Sequence, residues 1–344
     1  MSYYDDLSVG SSDGGNDSSS EEENESNGDM EDRPPIGSDL WSRCILHLDI
    51  DCFYCQCEEI DRNLRQVKPP RPLAIGQKHI IVTCNYEARK YGVKKLQLRE
   101  HAMAACPDLW IVEGSDLQQY RRHSRAVYEA FRRTLAEISF HLSPEEELTI
   151  PAKKGTMDEM MADLTPAVDR MMKTKQSETD FVVDEEQSFY TFGETAPSSV
   201  AVVVEDQTGQ EAVVNFNGGC VADRLPVSRR NVHDAFGTQQ EKNLCTKRLK
   251  LASRLVAWIC KRIRDATGFH TTGGISVSPL LAKLSSDLNK PKSINTLLPW
   301  RSSHLMYSMP LRKMQNVGSR TMRALEGCMI PSPSNGRKKI KTVL

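Results

Sequence analysis

A short apolar run that begins at Ile45 ends in two carboxylates, Asp49 and Asp51. Successive side chains of a β-strand point to opposite faces, so the run predicts a strand with one apolar face and one acidic face. Every second residue from Leu46 to Ile50 lies on the apolar face. Carboxylates are costly to seal in a core, so the acidic face should open onto water, a metal ion or a polyanionic substrate.

A second acidic pair, Asp158-Glu159, lies about a hundred residues downstream. If the fold brings this pair beside Asp49, three carboxylates and a backbone carbonyl would form an all-oxygen pocket suited to Mg2+. A pocket of this kind is the core of a two-metal site for phosphoryl transfer. The acidic run Glu145–Glu147 is better interpreted as a solvated turn, because Ser-Pro precedes it and polar residues surround it.

Four segments carry a resemblance to a known family: His47–Tyr54, Thr83–Val93, Asp158-Glu159, and Leu281–Leu284 with Lys290-Pro291. In this order and at these spacings they resemble the motif series of Y-family translesion DNA polymerases, from about Cys44 to about Leu325. The resemblance implies an α/β (α+β) fold. It would be a right-hand polymerase palm with a ferredoxin-like sheet, small fingers and a truncated helix-hairpin-helix thumb.

The resemblance also implies an activity, the template-directed addition of deoxynucleotides to a primer 3′ end opposite damaged DNA. Asp49, Asp158 and Glu159 would be the catalytic residues and, with the carbonyl of Ile50, would hold two Mg2+ ions, for which Mn2+ could substitute. The implied partners are primer-template DNA, deoxynucleoside triphosphates, and a sliding clamp or other repair proteins. The implied location is the nucleus, and no membrane partner is expected.

By position in the motifs, the resemblance assigns eight residues to the incoming nucleotide: Tyr54, Gln77, Lys78, Ile80, Thr83, Tyr86, Arg89 and Lys290. Tyr54 would be the steric gate under the sugar, while Gln77, Lys78 and Ile80 would form the roof of the base-pair pocket in one member of the family. Tyr86, Arg89 and Lys290 would contact the triphosphate. Without the motifs around them, Arg89 and Lys290 would be interpreted as solvated or dipole-complementing residues of helices.

The chain departs from the family pattern in three of its motifs. Thr156 stands where a serine is frequent, and its hydroxyl is retained. Pro279-Leu280 replaces the usual Asn-Lys, which removes a polar pair close to the expected active site. Asn316 replaces a glycine in the predicted hairpin Gln315–Gly318, where asparagine can still adopt a left-handed conformation.

Apolar periodicity predicts two long amphipathic helices, one through Leu117, Tyr120, Ser124, Val127, Phe131 and Leu135, and one through Leu249, Ala252, Val256, Ile259 and Ile263 up to Gly268. Strands are predicted at residues 73–76, 79–83, 199–204 and 274–278. A helix should follow Asn85, and Thr165-Pro166 and Ser278-Pro279 both have the sequence of a helix cap followed by proline at the first helical position.

The resemblance implies a division of the chain into an acidic arm at residues 1–39, a palm at 40–52 and 114–300, fingers at 53–113, and a partial thumb with a basic tail at 301–344. A segment at about 174–243 is predicted to be an insertion into the palm. No counterpart of the family's little-finger domain is recognised in the sequence.

The negative charge of the acidic arm offsets a positive net charge on the rest of the chain, here called the basic body. Residues 1–39 contain twelve acids and one arginine, a net charge of −11, and the whole chain carries −1, so the other 305 residues carry +10. A basic body indicates a polyanionic partner. The arm has little to bury and is predicted to be disordered, either as a solubilising tail or as a competitor for nucleic acid.

The ten cysteines are predicted to be free thiols, because the N-terminus lacks a secretory signal pattern. Cys52, Cys55 and Cys57 form a close cluster, but the flanking sequence offers no second pair of zinc ligands, so small buried hydrophobes are the better interpretation. The sequence contains no apolar run of about eighteen residues.

Two other classes of protein compete with a polymerase. A non-catalytic DNA-binding or scaffolding fragment is suggested by the missing little finger. A cyclase-like palm enzyme acting on free nucleotides would also place paired acids on a ferredoxin-like sheet, but it would not need a helix-hairpin-helix.

Overall fold

The computed structural model describes residues 40–174, 181, 188–192, 199–205, 211–217, 238–302, 305–306, 309 and 317–326. The acidic arm, much of the predicted insertion, the first part of the predicted hairpin and the basic tail lie outside these residues.

The strands of the described part are β1 (Ile45–Ile50), β2 (Leu73–Gln77), β3 (Ile80–Cys84), β4 (Trp110–Glu113), β5 (Ala152–Lys154), β6 (Glu159–Asp163), β7 (Ser188–Phe192), β8 (Ser199–Glu205), β9 (Glu211–Asn217), β10 (Thr271–Ser276) and β11 (Ser293–Leu297). The α-helices are α1 (Phe53–Asp61), α2 (Tyr86–Lys90), α3 (Arg99–Ala105), α4 (Gln118–Leu142), α5 (Thr165–Thr174), α6 (Gln239–Thr267), α7 (Pro279–Ser286) and α8 (Ser319–Glu326).

The largest sheet has six strands in the order β5-β6-β1-β10-β11-β7. β1 lies in its interior and pairs antiparallel with both β6 and β10, while β11 pairs parallel with β10 and β7. Helices cover both faces of this sheet, which confirms the predicted mixed α/β class. The strand that carries Asp49 is therefore held on both sides by backbone pairing.

Two neighbouring glycines show which helices cover which face. A Cβ on Gly273 would collide with Val256 of α6, and one on Gly274 would collide with the backbone of α7. Helices α4 and α6 pack together and bury the predicted apolar face of β1, where the side chains of Leu46, Leu48 and Ile50 are almost wholly inaccessible. The acidic face of β1 is turned toward α7.

Both long helices follow the predicted periodicity. In α4 the predicted inner residues from Tyr120 to Leu135 are buried, and in α6 those from Leu249 to Ile263 are buried. Gly268 ends α6 in the left-handed region, with φ 78°, where glycine carries no steric penalty. Ser278 caps α7 as predicted, its side chain accepting a hydrogen bond from the backbone N–H of Leu281.

A second, three-stranded sheet has the order β3-β2-β4 and forms the predicted finger region with α2 and α3. Asn85 caps α2, because its side chain accepts a hydrogen bond from the backbone N–H of Ala88 at 3.0 Å. β2 and β3 are joined by a tight turn in which Lys78 has a positive φ of 53°.

Two details differ from expectation. Thr165 is the first residue of α5 and not its cap, because its hydroxyl accepts a hydrogen bond from the backbone N–H of Cys44 at 2.9 Å. Ser188–Phe192, inside the segment predicted as an insertion, pairs with β11 and belongs to the main sheet. The predicted strand at residues 199–204 is present as β8, in a hairpin with β9.

The eight cysteines in the described ranges are free thiols, and Cys55 and Cys57 are wholly buried, as predicted for small hydrophobes. Among the helices described, none is long and apolar enough to cross a membrane.

Candidate active site

The fold brings the three predicted acids together. Asp49 of β1 lies directly opposite Glu159, the first residue of β6. The backbone N–H of Ile50 donates to the backbone carbonyl of Asp158 at 2.8 Å. Acids that are about a hundred residues apart in the sequence therefore meet at one end of two paired strands.

Two lysines from the segment after β10 neutralise two of these acids. Lys283 Nζ of α7 donates to both carboxylate oxygens of Glu159, at 2.9 and 2.7 Å. Lys290 Nζ donates to Asp49 Oδ1 at 2.7 Å and lies 3.2 Å from Asp287. Each lysine is less than one-third exposed, so solvent screens these ion pairs only partly.

The third acid, Asp158, is contacted by a hydroxyl group. Thr156 Oγ1 donates to Asp158 Oδ1 at 2.6 Å, so the hydroxyl retained at this position orients the carboxylate. The loop that carries Asp158 is fixed to the long helix, because Ser124 Oγ donates to the carbonyl of Met157 at 2.5 Å. The Asp158 carboxylate is thus positioned from both sides.

The environment separates the acidities of the paired acids. Burial raises the pKa of Asp49, and the nearby Asp158 charge adds to this, while Lys290 opposes both. The His47 imidazole, 3.6 Å away, and the closer Lys283 ammonium lower the pKa of Glu159 to about 2. Glu159 is therefore fully ionised at neutral pH.

Asp51 does not behave as predicted. It is only 3% exposed, and its carboxylate accepts hydrogen bonds from Thr272 Oγ1 at 2.8 Å and from the backbone N–H of Lys292 at 2.9 Å. Burial raises its pKa to about 6. The expectation that this carboxylate faces an open site was wrong, because partners from distant parts of the chain compensate its burial.

The acids offer oxygen donors, which are the ligands that Mg2+ and Mn2+ prefer. Among the described residues, no three His, Cys, Asp or Glu side chains are close enough together to hold an ion as they stand. Lys283 and Lys290 instead supply positive charge at this point. Carboxylates that bind two ammonium groups are also suited to bind a divalent cation, which would replace one of the lysine ammonium groups.

Two of the residues predicted to contact the triphosphate, Tyr86 and Arg89, lie on α2. The Arg89 guanidinium lies 4.3 Å from the centre of the Tyr86 ring, and its Nε donates to the carbonyl of Cys84 at 3.3 Å. The Tyr86 hydroxyl donates to Asp51 Oδ1 at 3.4 Å, which connects α2 to the end of β1. Lys290 reaches the same region from the other side through Asp49.

Tyr54, the predicted steric gate, lies in the first turn of α1, immediately after β1. Its ring packs against Tyr120 at 4.5 Å and against Phe53 at 5.4 Å between ring centres, which fixes its orientation. The side chain is partly exposed. It is therefore a rigid aromatic wall next to the acids.

The predicted roof residues lie at the turn between β2 and β3, with Gln77 ending β2 and Ile80 beginning β3. Gln77 Nε2 donates to the carbonyl of Gly114 at 2.6 Å, Lys78 is exposed at the turn, and Ile80 is 37% exposed. Thr83 lies further along β3 and is 7% exposed, so its side chain offers little surface to a nucleotide.

Two residues near the acids were missed at the level of sequence, Lys283 and His47. Lys283 lies inside the motif Leu281–Leu284, and His47 lies two residues before Asp49, hence on the same face of the strand. His47 is 2% exposed, and its Nδ1 lies 2.9 Å from Ser286 Oγ. Strand alternation could have identified His47, whereas the pairing of Lys283 depends on how α7 packs.

Comparison with known proteins gives a consistent result. Residues 48–287, more than half of the chain, match the impB/mucB/samB family. DNA polymerase iota of Mus musculus is 30% identical over 286 residues, which cover 83% of this chain and 31% of that protein. DNA polymerase eta of Arabidopsis thaliana is 28% identical over 299 residues, or 85% of this chain and 38% of that protein.

A bacterial relative, DNA polymerase IV of Pseudomonas syringae pv. tomato, is 42% identical over 97 residues, which cover 27% of this chain and 26% of that protein. The chain spans about a third of the length of the polymerase iota relatives. The extent of the family match, together with the ordered motifs, shows that the chain belongs to the impB/mucB/samB family of Y-family polymerases.

Proposed function

We propose that this chain carries the catalytic residues of a template-directed DNA polymerase of the translesion type, adding deoxynucleotides to a primer 3′ end opposite damaged bases. The observation that supports this most strongly is the register of β1 against β6, which sets Asp49 opposite Glu159 with Asp158 beside Ile50. The hydrogen bond from Tyr86 of α2 to Asp51, which follows β1, supports a triphosphate site on this side of the acids.

In this proposal Asp49, Asp158, Glu159 and the carbonyl of Ile50 hold two divalent ions, Mg2+ or Mn2+. Such ions lower the pKa of the primer hydroxyl and neutralise the charge of the triphosphate and the leaving pyrophosphate. Lys290 changes partner during binding, because a triphosphate carries more negative charge than the Asp49 carboxylate it contacts now.

The remaining pocket residues orient the nucleotide. The planar fork of Arg89 binds two phosphate oxygens at once, and its stacking on Tyr86 limits the directions it can take. Tyr54 lies under the sugar and excludes a 2′-hydroxyl by contact. Gln77, Lys78 and Ile80 cover the base pair from the turn between β2 and β3.

The wider setting is proposed from the same relatives. Primer-template DNA and deoxynucleoside triphosphates are the substrates, and a sliding clamp or other repair proteins are further partners, in the nucleus of a eukaryotic cell. Pro279-Leu280 replaces a polar pair at the start of α7. Leu280 lies three residues before Lys283, so the replacement acts on the segment that holds Glu159.

A non-catalytic DNA-binding scaffold is the second candidate. It is favoured by the pairing of Asp49 and Glu159 with lysines, since a chain that never binds metal could keep such ion pairs permanently. A cyclase-like enzyme would use the same acids on free nucleotides.

Extension of a labelled primer separates the three candidates. The full chain should extend the primer by one or more nucleotides, with the base chosen by the template, in the presence of Mg2+ or Mn2+. A scaffold would bind the DNA without extending it. A cyclase would consume free nucleotides at the same rate with or without a template, and either outcome would contradict the proposal.

A further inference from the structure

An exposed row of arginines follows one side of the long helix α4. Arg121, Arg125 and Arg132 are spaced so that all three lie within about 40° of one another around the helix. All three side chains are exposed. The row extends over eleven residues, or about 16 Å of helix length.

The row continues onto the edge strand β5. The Lys154 ammonium lies 5.9 Å from the centre of the Tyr128 ring, and Tyr128 is on α4 between Arg125 and Arg132. Lys154 lies opposite the buried Met160 in the neighbouring strand, so its side chain is on the side of the sheet that α4 and α6 cover. Lys153, the next residue, points to the other side, which is the side of Asp49 and Glu159.

Arg121, Arg125, Arg132, Lys153 and Lys154 are called the cationic strip. The strip leads from the outer side of α4, around the open edge of the sheet, toward the side that carries the acids. The strip is also connected to the loop of Asp158. Ser124, one residue before Arg125, donates a hydrogen bond to the carbonyl of Met157, which precedes Asp158.

Among the described residues, the members of the strip have no ion-pair partner. Within the residues described, none of its five members has a carboxylate within 4 Å, although the exposed Glu129 lies on the same helix. Arg262 on α6, by contrast, pairs with Glu137 at 2.7 Å, and Lys261 pairs with Asp265 at 2.6 Å. Partial burial and the charge of Arg125 lower the pKa of Lys154, so these cations repel one another.

We propose that the cationic strip binds the phosphate backbone of primer-template DNA outside the catalytic pocket. A row of uncompensated cations gains most from a regular polyanion, because each neutralised phosphate releases a counterion. One DNA strand carries a phosphate every 3.4 Å along the helix axis, so about 16 Å of strip spans about five phosphates. The inference rests on the proposed function for the identity of the polyanion.

The test compares three proteins of full length by anisotropy of a labelled primer-template over a range of salt concentrations. The first is the parent chain, and the second carries Arg121→Gln, Arg125→Gln and Arg132→Gln, which keep good helix formers at exposed positions. The control carries Lys173→Gln, Lys242→Gln and Lys247→Gln, which remove the same charge from α5 and α6. Thermal melting verifies that all three are folded.

The arginine variant should bind DNA at least tenfold more weakly at low salt. Its slope of log affinity against log salt should be smaller by up to about 2.7, that is about 0.9 for each lost phosphate contact. The control should keep the affinity and slope of the parent. A single Arg125→Gln change should lower the slope by about 0.9.

Three results would overturn the inference. The arginine variant would bind DNA as the parent does, the control would lose as much affinity as the arginine variant, or the arginine variant would lose as much affinity for an acidic polypeptide as for DNA. Primer extension by the same proteins keeps the two proposals apart. If the parent extends primers and the arginine variant binds DNA normally, only the proposal for the cationic strip is refuted. If the strip binds DNA but the parent does not extend primers, only the proposed polymerase activity is refuted.

Discussion

Replacing Lys283 by glutamine tests whether the lysine positions the acid it contacts. Lys283 reaches both oxygens of Glu159 from α7, and the side chains are 32% and 22% exposed. Glutamine keeps the length of the side chain approximately and removes the charge. Glu159 would then be free to rotate, with the His47 imidazole 3.6 Å away as its remaining side-chain partner among the described residues.

The expected loss of stability is small and the expected loss of activity is large. A charge-assisted hydrogen bond contributes about 1.5–3 kcal/mol when buried, and partial exposure reduces this to about 1 kcal/mol. A residue that orients a metal ligand typically contributes 10–100-fold to metal affinity or activity, equivalent to about 1.4–2.8 kcal/mol of barrier. The rate should therefore fall by about 10–100-fold while the protein remains folded.

The assay is single-turnover primer extension at several Mg2+ concentrations, together with chemical denaturation. Lys261→Gln is the matched control, since Lys261 forms an ion pair with Asp265 at 2.6 Å on α6, within that helix. The control should extend primers as the parent does. If Lys283→Gln has the rate and Mg2+ dependence of the parent, Lys283 does not position Glu159 and the reasoning is refuted.

Three further perturbations test the pocket and its surroundings. Tyr54→Ala should admit ribonucleotides by removing a clash, and unchanged discrimination between ribo- and deoxyribonucleotides would show that Tyr54 is only part of the core. Arg89→Lys should raise KM for the nucleotide about tenfold, because a point charge replaces a fork, and an unchanged KM would remove Arg89 from the triphosphate site. Burial, followed by the charges of Lys292 and Arg65, lowers the pKa of His270 to about 4. At His270 the unfolded chain therefore binds more protons than the folded one between pH 6.5 and 4, so the contribution of this residue to stability falls as the pH drops through this range. After allowance for partial exposure, His270→Gln should remove about 1 kcal/mol of the stability difference between pH 7 and pH 5, measured by urea denaturation, and identical pH dependence in parent and variant would contradict this.

Local patterns were sufficient to predict the elements that carry the site. Alternation along β1 predicted that Leu46, Leu48 and Ile50 are buried, and helical periodicity predicted the inner faces of α4 and α6. Such patterns show only which side of a single helix or strand is apolar, and this property is set by residues close together in the sequence. The adjacency of Asp49 and Glu159 was predicted from the chemistry of acids and from the resemblance, and β6 pairs with β1 accordingly.

Contacts between distant segments could not be predicted in the same way. The burial of Asp51 depends on Thr272 and on the backbone of Lys292, both more than two hundred residues away. β7 was missed because its pairing with β11 is parallel and nonlocal, and a strand of that kind has no adjacent turn to reveal it. The lysine partners of the acids depend likewise on the packing of α7.

The most direct test of the central claim is primer extension by Asp158→Asn. Asp158 is partly exposed and its carboxylate accepts a hydrogen bond from Thr156, so the substitution should leave the fold intact. Glu145→Gln is the control, because it makes the same change of charge at an exposed turn. Asp158→Asn should lower the extension rate by at least about 10²–10³-fold while Glu145→Gln has no effect. Extension by a folded Asp158→Asn protein at the parental rate would contradict the assignment of these acids as the metal site.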